Sequence, residues 1–216
     1  MILTKLYIDM GNNVLLYGTH NSGTSSSLVW WLRPFGYLLN LTSRCQSRSI
    51  VEQLGDGIVL FNFQVCYYRS DWHFSHGLCI YDGLLFDAIR EIIIYLHNCK
   101  DVDKKIYIQL SLDKNFLVGQ NIKEYKELVN YFINELDNDR IVILWCVIEG
   151  GEFLFINPNH GLNYTEKYWL NGFINNGNNK SFLDKLPLPK YHAKKFNKIY
   201  KDECKKDVLM LDYYEL

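Results

Sequence analysis

The chain has no Cys-x-x-Cys pair, only four prolines, no apolar run long enough to cross a bilayer and almost no net charge. Each absence removes a class of function. The six cysteines, at 45, 66, 79, 99, 146 and 204, are scattered, which argues against a zinc site and a disulfide framework and predicts reduced thiols, mostly in the core. A formal charge of −1 supplies no global basic field, so nucleic acid is not an expected partner and any anionic ligand must be met by a local patch. No apolar stretch approaches the ~18–20 residues of a membrane span, and the first residues lack a basic segment followed by a long apolar one. The expectation is a soluble, cytoplasmic, monomeric protein, at most peripheral at membranes. Without a secretory signal, the glycosylation-like triplets at Asn40, Asn163 and Asn179 read as chance matches.

What is present is a β/α rhythm. A chain of 216 residues suits one domain, residues 1–216, burying roughly 70% of the surface its unfolded form exposes. Short apolar or alternating runs predict strands at Asn13–Tyr17, Ile58–Val65, His73–Ile80, Lys105–Leu112, Arg140–Ile148, Glu152–Ile156 and Asp207–Tyr213. Between them lie helical patterns. Over Leu84–His97, Leu85, Ile89, Ile92 and Leu96 fall on one side, and Ile122–Leu136 repeats the spacing with Tyr125, Leu128, Val129, Phe132 and Leu136. Residues 171–180 read as an Asn-rich loop, and a basic helix is expected over Tyr191–Lys205.

Two histidines stand at strand ends: His20 in Gly18-Thr-His-Asn-Ser-Gly-Thr24, where glycines permit a sharp turn, and His76 in Ser75-His-Gly77. Paired imidazoles can supply the base and the acid that phosphodiester cleavage needs near neutral pH. The remaining histidines, His73, His97, His160 and His192, lack such a context and read as surface or packing residues.

The elements around these histidines follow in one order: the Gly18–Thr24 turn, then Gln46-Ser-Arg-Ser-Ile-Val-Glu-Gln-Leu-Gly-Asp-Gly-Ile58, then Phe61-Asn-Phe-Gln-Val65, then Ser75-His-Gly77. This succession resembles the X domain of phosphatidylinositol-specific phospholipase C. The strand Ile106-Tyr-Ile-Gln-Leu-Ser-Leu-Asp113 and the terminal Val208-Leu-Met-Leu-Asp-Tyr-Tyr-Glu215 are similar to two later strands of that family. The likeness runs from about Tyr17 to Asp113 and returns near the end. It implies a distorted, incomplete (β/α) barrel of the TIM type, because too few residues separate Ile148 from the last strand for the units a full barrel still needs at ~30 residues each.

The resemblance also implies roles. His20 would deprotonate the inositol 2-hydroxyl, whose oxygen then attacks phosphorus to give a cyclic phosphate. His76 would protonate the departing diacylglycerol oxygen, and Asp212 would orient His20. Where the family places an acid and an arginine, or two acids in its calcium-dependent branch, this chain has Asn62 and Gln64. Replacing a phosphate-clamping cation by an amide forfeits a charge-assisted bond of about 1.5–3 kcal/mol. The calcium ligand set would here be Asn21, Asn62, Gln64 and Asp113, and one formal charge is thin for a hard cation, so no cofactor is expected. These four side chains, with Arg44, are the candidate substrate-binding residues; Arg48, Arg69 or Lys114 are further candidates for the missing cation. Trp30-Trp-Leu-Arg-Pro-Phe-Gly-Tyr37 is a dense aromatic cluster in which Trp30 and Trp31 are candidates for a membrane-facing rim.

Three functions stay open. One is metal-independent cleavage of a phosphatidylinositol-like lipid by His20 and His76. Another is a catalytically silent module binding lipid or inositol phosphate, or acting as an interaction protein. The third is a related phosphodiesterase for a different head group, which would need a metal held by carboxylates.

Overall fold

The computed structural model describes residues 16–113, 115, 117–119, 121–149, 152–160, 162–165, 169–171, 188–203 and 208–215. The strands are β1 (Leu16–Thr19), β2 (Leu60–Tyr68), β3 (Asp71–His76), β4 (Cys79–Leu84), β5 (Ile106–Leu112), β6 (Ile141–Glu149), β7 (Glu152–Asn157), β8 (Leu162–Thr165), β9 (Trp169–Asn171) and β10 (Val208–Leu211). The helices are α1 (Gly36–Ser43), α2 (Ile50–Gly55), α3 (Leu85–Asn98), α4 (Ile122–Glu135) and α5 (Pro189–Glu203).

Six strands run parallel in the order β6-β5-β2-β1-β10-β9. Beyond β6 the sheet continues through antiparallel β7 and β8, and among the described residues the ladder does not close. The result is the expected distorted, open barrel, and its irregular part is the stretch after β6, where hairpins stand in place of β/α units.

Alternation along the parallel strands divides the molecule. Phe61, Phe63 and Val65 of β2, Ile106, Ile108 and Leu110 of β5, and Ile141 and Ile143 of β6 share the larger core with Leu85, Ile89, Ile92 and Leu96 of α3 and Tyr125, Leu128, Val129 and Phe132 of α4. These are the helix faces that the three-and-four spacing picks out. The residues between them point the other way. Leu60, Tyr107, Val142, Leu144 and Met210 form a second apolar cluster, and above it the same face turns polar, with Asn62 opposite Gln109 and Gln64 opposite Ser111. A barrel interior that is apolar at one end and amide-lined at the carboxyl end of its strands places polar groups where such barrels carry their sites.

One expected strand is two. His73–Ile80 is broken at Gly77, whose φ of 64° belongs to the first central position of a two-residue hairpin turn, and His76 pairs with Cys79 across it. A second tight hairpin joins β2 to β3 through Arg69 and Ser70, both at positive φ. The β2–β3–β4 meander thus leaves the barrel wall and carries His76 back over the site. The final helix begins at Pro189, earlier than its basic run, because proline is favoured in the first turn. Beyond Asn171, the loop expected at 171–180 lies outside the described residues.

The turn after β1 that carries His20 is fixed by close packing. A Cβ at Gly23 would meet the Phe74 ring at 2.1–2.3 Å, whereas nothing lies within 4 Å of one at Gly55. Gly23→Ala is therefore expected to lower stability by roughly 1–3 kcal/mol or more, and Gly55→Ala, at the end of α2, to raise it by about 0.4–1 kcal/mol. Urea denaturation midpoints of the two variants check this pair.

Candidate active site

His20 follows β1 and Asp212 follows β10, and because these strands pair in parallel the two side chains meet. His20 Nδ1 lies 2.8 Å from Asp212 Oδ1, with the carboxylate only 6% exposed and the imidazole 24% exposed. A carboxylate accepts only, so Nδ1 carries the proton and Nε2 keeps its lone pair. Asn21 Nδ2, 3.3 Å from Nε2, donates to that lone pair and supports the same tautomer. This is the arrangement of an oriented general base.

His76 arrives from the β3–β4 hairpin. Its ring is 5.9 Å from that of His20, edge to face at 84°, and its Nδ1 donates to the Ser43 carbonyl at the end of α1 over 2.8 Å. That bond leaves Nε2 as the working nitrogen. Burial, and then the nearby His20, hold the His76 imidazole below its ordinary value of 6.5.

The backbone of the site is held by residues that spacing alone did not single out. Gln46, fully buried, donates from Nε2 to the carbonyls of both His20 (2.9 Å) and Leu211 (2.8 Å), tying the ends of β1 and β10 together. Asn197 of α5 donates to the carbonyls of Asp212 and Tyr213, each at 2.9 Å, fixing the segment that presents the carboxylate. Gln53 of α2 accepts from Thr19 Oγ1 and donates to the Ser22 and Arg48 carbonyls. Helix α2 is itself started by a capping box between Ser49 and Glu52. Gln46 and Gln53 lie inside the stretch that carries the sequence resemblance; Asn197 has no local signal at all.

Cys45 is the most central of the unanticipated residues. It has no solvent exposure, and its Sγ lies 3.6 Å from His76 Nδ1 and 3.6 Å from Asn21 Nδ2. Burial, and then the Asp212 charge, push its thiol well above the usual range, so it is a neutral spacer between the two imidazoles. Among the described residues, His20, Cys45 and Asp212 also form a set whose donor atoms lie within 4.8 Å of one another.

The amides fill the floor. Asn62 Oδ1 accepts from the Asn21 backbone N–H at 3.1 Å, and its Nδ2 donates to Gln109 Oε1 at 3.3 Å. Gln64 Nε2 donates to Asp113 Oδ1 at 2.9 Å. The four residues in the calcium-ligand positions are thus joined in pairs, Asn21 with Asn62 and Gln64 with Asp113.

Three of the candidate cations are engaged with other partners. Arg44 donates from Nε to the Thr24 carbonyl at 3.2 Å and from a terminal nitrogen to that of Ser25, so it braces the His20 turn. Arg48 pairs with Glu52, and Arg69 stacks on the Tyr68 ring at 5.3 Å. Lys114 lies outside the described residues. Of the aromatic pair, Trp30 is 64% exposed, whereas Trp31 packs against the core and donates from Nε1 to Tyr68 Oη over 2.9 Å.

Comparison with solved structures shows that this open parallel barrel has a phospholipase-C-like fold. The chain superposes on the phosphatidylinositol-specific phospholipase C of Staphylococcus aureus in a form containing pentafluorophenylalanine with a TM-score of 0.60 and 13% identity, over 98% of this chain and 90% of that one. The phosphatidylinositol-specific phospholipase C of Listeria monocytogenes matches with a TM-score of 0.55 and 14% identity over 93% and 88%. A form of the Staphylococcus aureus enzyme concerned with modulation of its membrane binding matches at 0.59 and 13% over 93% and 86%. No protein-family model and no curated protein matches the chain by sequence. At such identity the likeness establishes the fold.

The depressed His76 imidazole has a consequence for stability. The unfolded chain takes up that proton near 6.5, the folded chain only at lower pH, so protonation favours unfolding. His76's contribution is complete above 6.5 and is lost as pH falls through the folded value. Denaturant midpoints measured from neutral to acid pH should therefore fall more steeply for the wild-type protein than for His76→Asn.

Proposed function

We propose that this chain cleaves a phosphatidylinositol-like phosphodiester by acid–base catalysis between His20 and His76, without a metal. The observation that carries this reading is the His20–Asp212 bond of 2.8 Å beside a second imidazole 5.9 Å away. His20 Nε2 takes the proton of a substrate hydroxyl, whose oxygen attacks phosphorus, while Asp212 stabilises the imidazolium that forms. His76, protonated on Nε2, gives that proton to the departing oxygen. The Nδ1–H···O=C bond to Ser43 keeps the ring aimed in both protonation states.

Lipid is the substrate class that the rim favours. Trp30, Phe35, Tyr37, Leu38 and Leu41 are exposed on and just before α1, the helix whose last carbonyl holds His76. Helix α5, which packs beside α1, presents exposed Lys190 and Lys194. Apolar side chains flanked by lysines suit the headgroup boundary of an anionic membrane. Among the described residues no helix is long and apolar enough to cross a membrane.

A second reading, a catalytically silent lipid- or inositol-phosphate-binding module, is favoured by one observation: Asn62 and Gln64 stand at the clamp positions, and Arg44 is bonded to backbone carbonyls. The two readings separate on turnover of phosphatidylinositol in mixed micelles, with chelator and with calcium. Cyclic inositol phosphate formed in chelator, and reduced by about 10²–10⁴-fold in His20→Ala or His76→Ala, supports the enzyme; no product above the variants from folded protein supports the module. Because His76 must be protonated to act as the acid, activity is expected to rise as pH falls from neutrality toward its depressed value. Trp30→Ala should weaken partitioning onto anionic vesicles while leaving the unfolding midpoint unchanged, whereas Trp31→Ala should lower the midpoint.

A further inference from the structure

We propose that His20, Cys45 and Asp212 bind one zinc ion, and that zinc and the proposed base chemistry exclude each other at this centre. The three donor atoms come from three separate places in the chain and converge within 4.8 Å, so no local Cys/His spacing announces them. Their chemistry selects the ion. An imidazole nitrogen, a thiolate and a carboxylate form a mixed N, S, O set of the borderline-soft kind that zinc prefers and that calcium or magnesium does not. Charge closes as well, since one thiolate and one carboxylate neutralise a divalent cation in a site where Cys45 and Asp212 are buried.

The donor atoms already lie near the spacing that zinc requires. Ligand atoms on one tetrahedral zinc, at bonds of ~2.0–2.3 Å, sit roughly 3.3–3.8 Å apart. His20 and Asp212, now 2.8 Å apart, must therefore open slightly, and the widest separation must close by at most about 1 Å. The partly exposed His20 ring is the entry path. An independent sign that the ring has a partner ready for the zinc-bound tautomer lies against the same residues. Asn21 is 1% exposed and its Oδ1 has no hydrogen-bond partner, while the Nδ2 of that carboxamide touches both His20 Nε2 and Cys45 Sγ. A half-turn of the amide brings the orphaned oxygen to this position, where it accepts a hydrogen bond from the proton that Nε2 carries once zinc holds Nδ1.

Proton balance makes the two states exclusive. Zinc takes Nδ1 of His20, the nitrogen now facing Asp212, and the ring stays neutral by carrying its proton on Nε2; the Cys45 thiol releases its proton to solvent as the Zn–S bond forms. With Nε2 protonated, His20 has no lone pair for a substrate hydroxyl. The binding part of the proposal stands on the cluster alone, and only the inhibitory part rests on the function proposed above.

Cobalt tests binding without any lipid. Chelator-stripped protein titrated with Co2+ should take up one ion per chain and develop a thiolate-to-cobalt charge-transfer band in the near ultraviolet, displaced by an equivalent of Zn2+. The band should vanish in Cys45→Ser and persist in Cys99→Ser. Zinc should also raise the thermal midpoint of the wild-type protein and not that of His20→Gln, a measurement that remains informative if Cys45→Ser does not fold. No thiolate band from folded wild-type protein, or a band that survives Cys45→Ser, overturns the site. If the chain turns over no phosphatidylinositol, the cobalt spectrum is unaffected; if it does, zinc should suppress that turnover, and undiminished turnover at saturating zinc overturns the exclusion.

Discussion

The parallel pairing of β1 with β10 is the constraint on which the rest of the structure hangs. It joins residues 16–19 to 208–211, closing almost the whole chain into one loop. The free energy that closes a loop grows only slowly with its length, so the penalty for such a distant partner is tolerable once β2 and β9 flank the pair. What the pairing delivers is chemical. It sets Asp212 behind His20, and the buried clamps of Gln46 and Asn197 convert strand adjacency into a 2.8 Å hydrogen bond. An imidazole so held has one defined tautomer before any ligand arrives.

The second histidine reaches the site by a different route. β2 spans more than the barrel needs, and its outer half turns back through β3 and β4 instead of ending in a helix. That meander, inserted before the α3 crossover to β5, brings His76 against the Ser43 carbonyl of α1. The same helix exposes the aromatic and aliphatic rim. Rim and acid are therefore mechanically linked, because anything that seats α1 also positions the carbonyl that aims His76.

Among the described residues, the groups of the centre other than the two imidazoles and two carboxylates are neutral. Amides line the floor, the one buried thiol is protonated, and the nearest arginine braces the backbone. Asp212 and Asp113 are the carboxylates held there, the first bonded to an imidazole and the second to an amide. In the proposed function, the described side chains offer a phosphodiester hydrogen-bond donors and imidazolium charge, so the protonation state of His76 bears on binding as well as on proton transfer.

Much of this was legible in the linear sequence. The three-and-four spacing picked out the buried faces of α3 and α4 and short apolar or alternating runs picked out β2, β5 and β6, because these signals are local, whereas the meeting of His20, His76 and Asp212 was implied only by the resemblance of the ordered motifs to a known family. Three things only the tertiary structure decided. The split of the expected strand His73–Ile80 into a hairpin depended on Gly77 adopting a positive φ, which the pattern of the run does not record. The engagement of Arg44 depended on carbonyls twenty residues away in the chain. The placement of Cys45 between two imidazoles and a carboxylate depended on β1, β3, α1 and β10 converging, and no spacing in a sequence records a contact that exists only after distant segments pack.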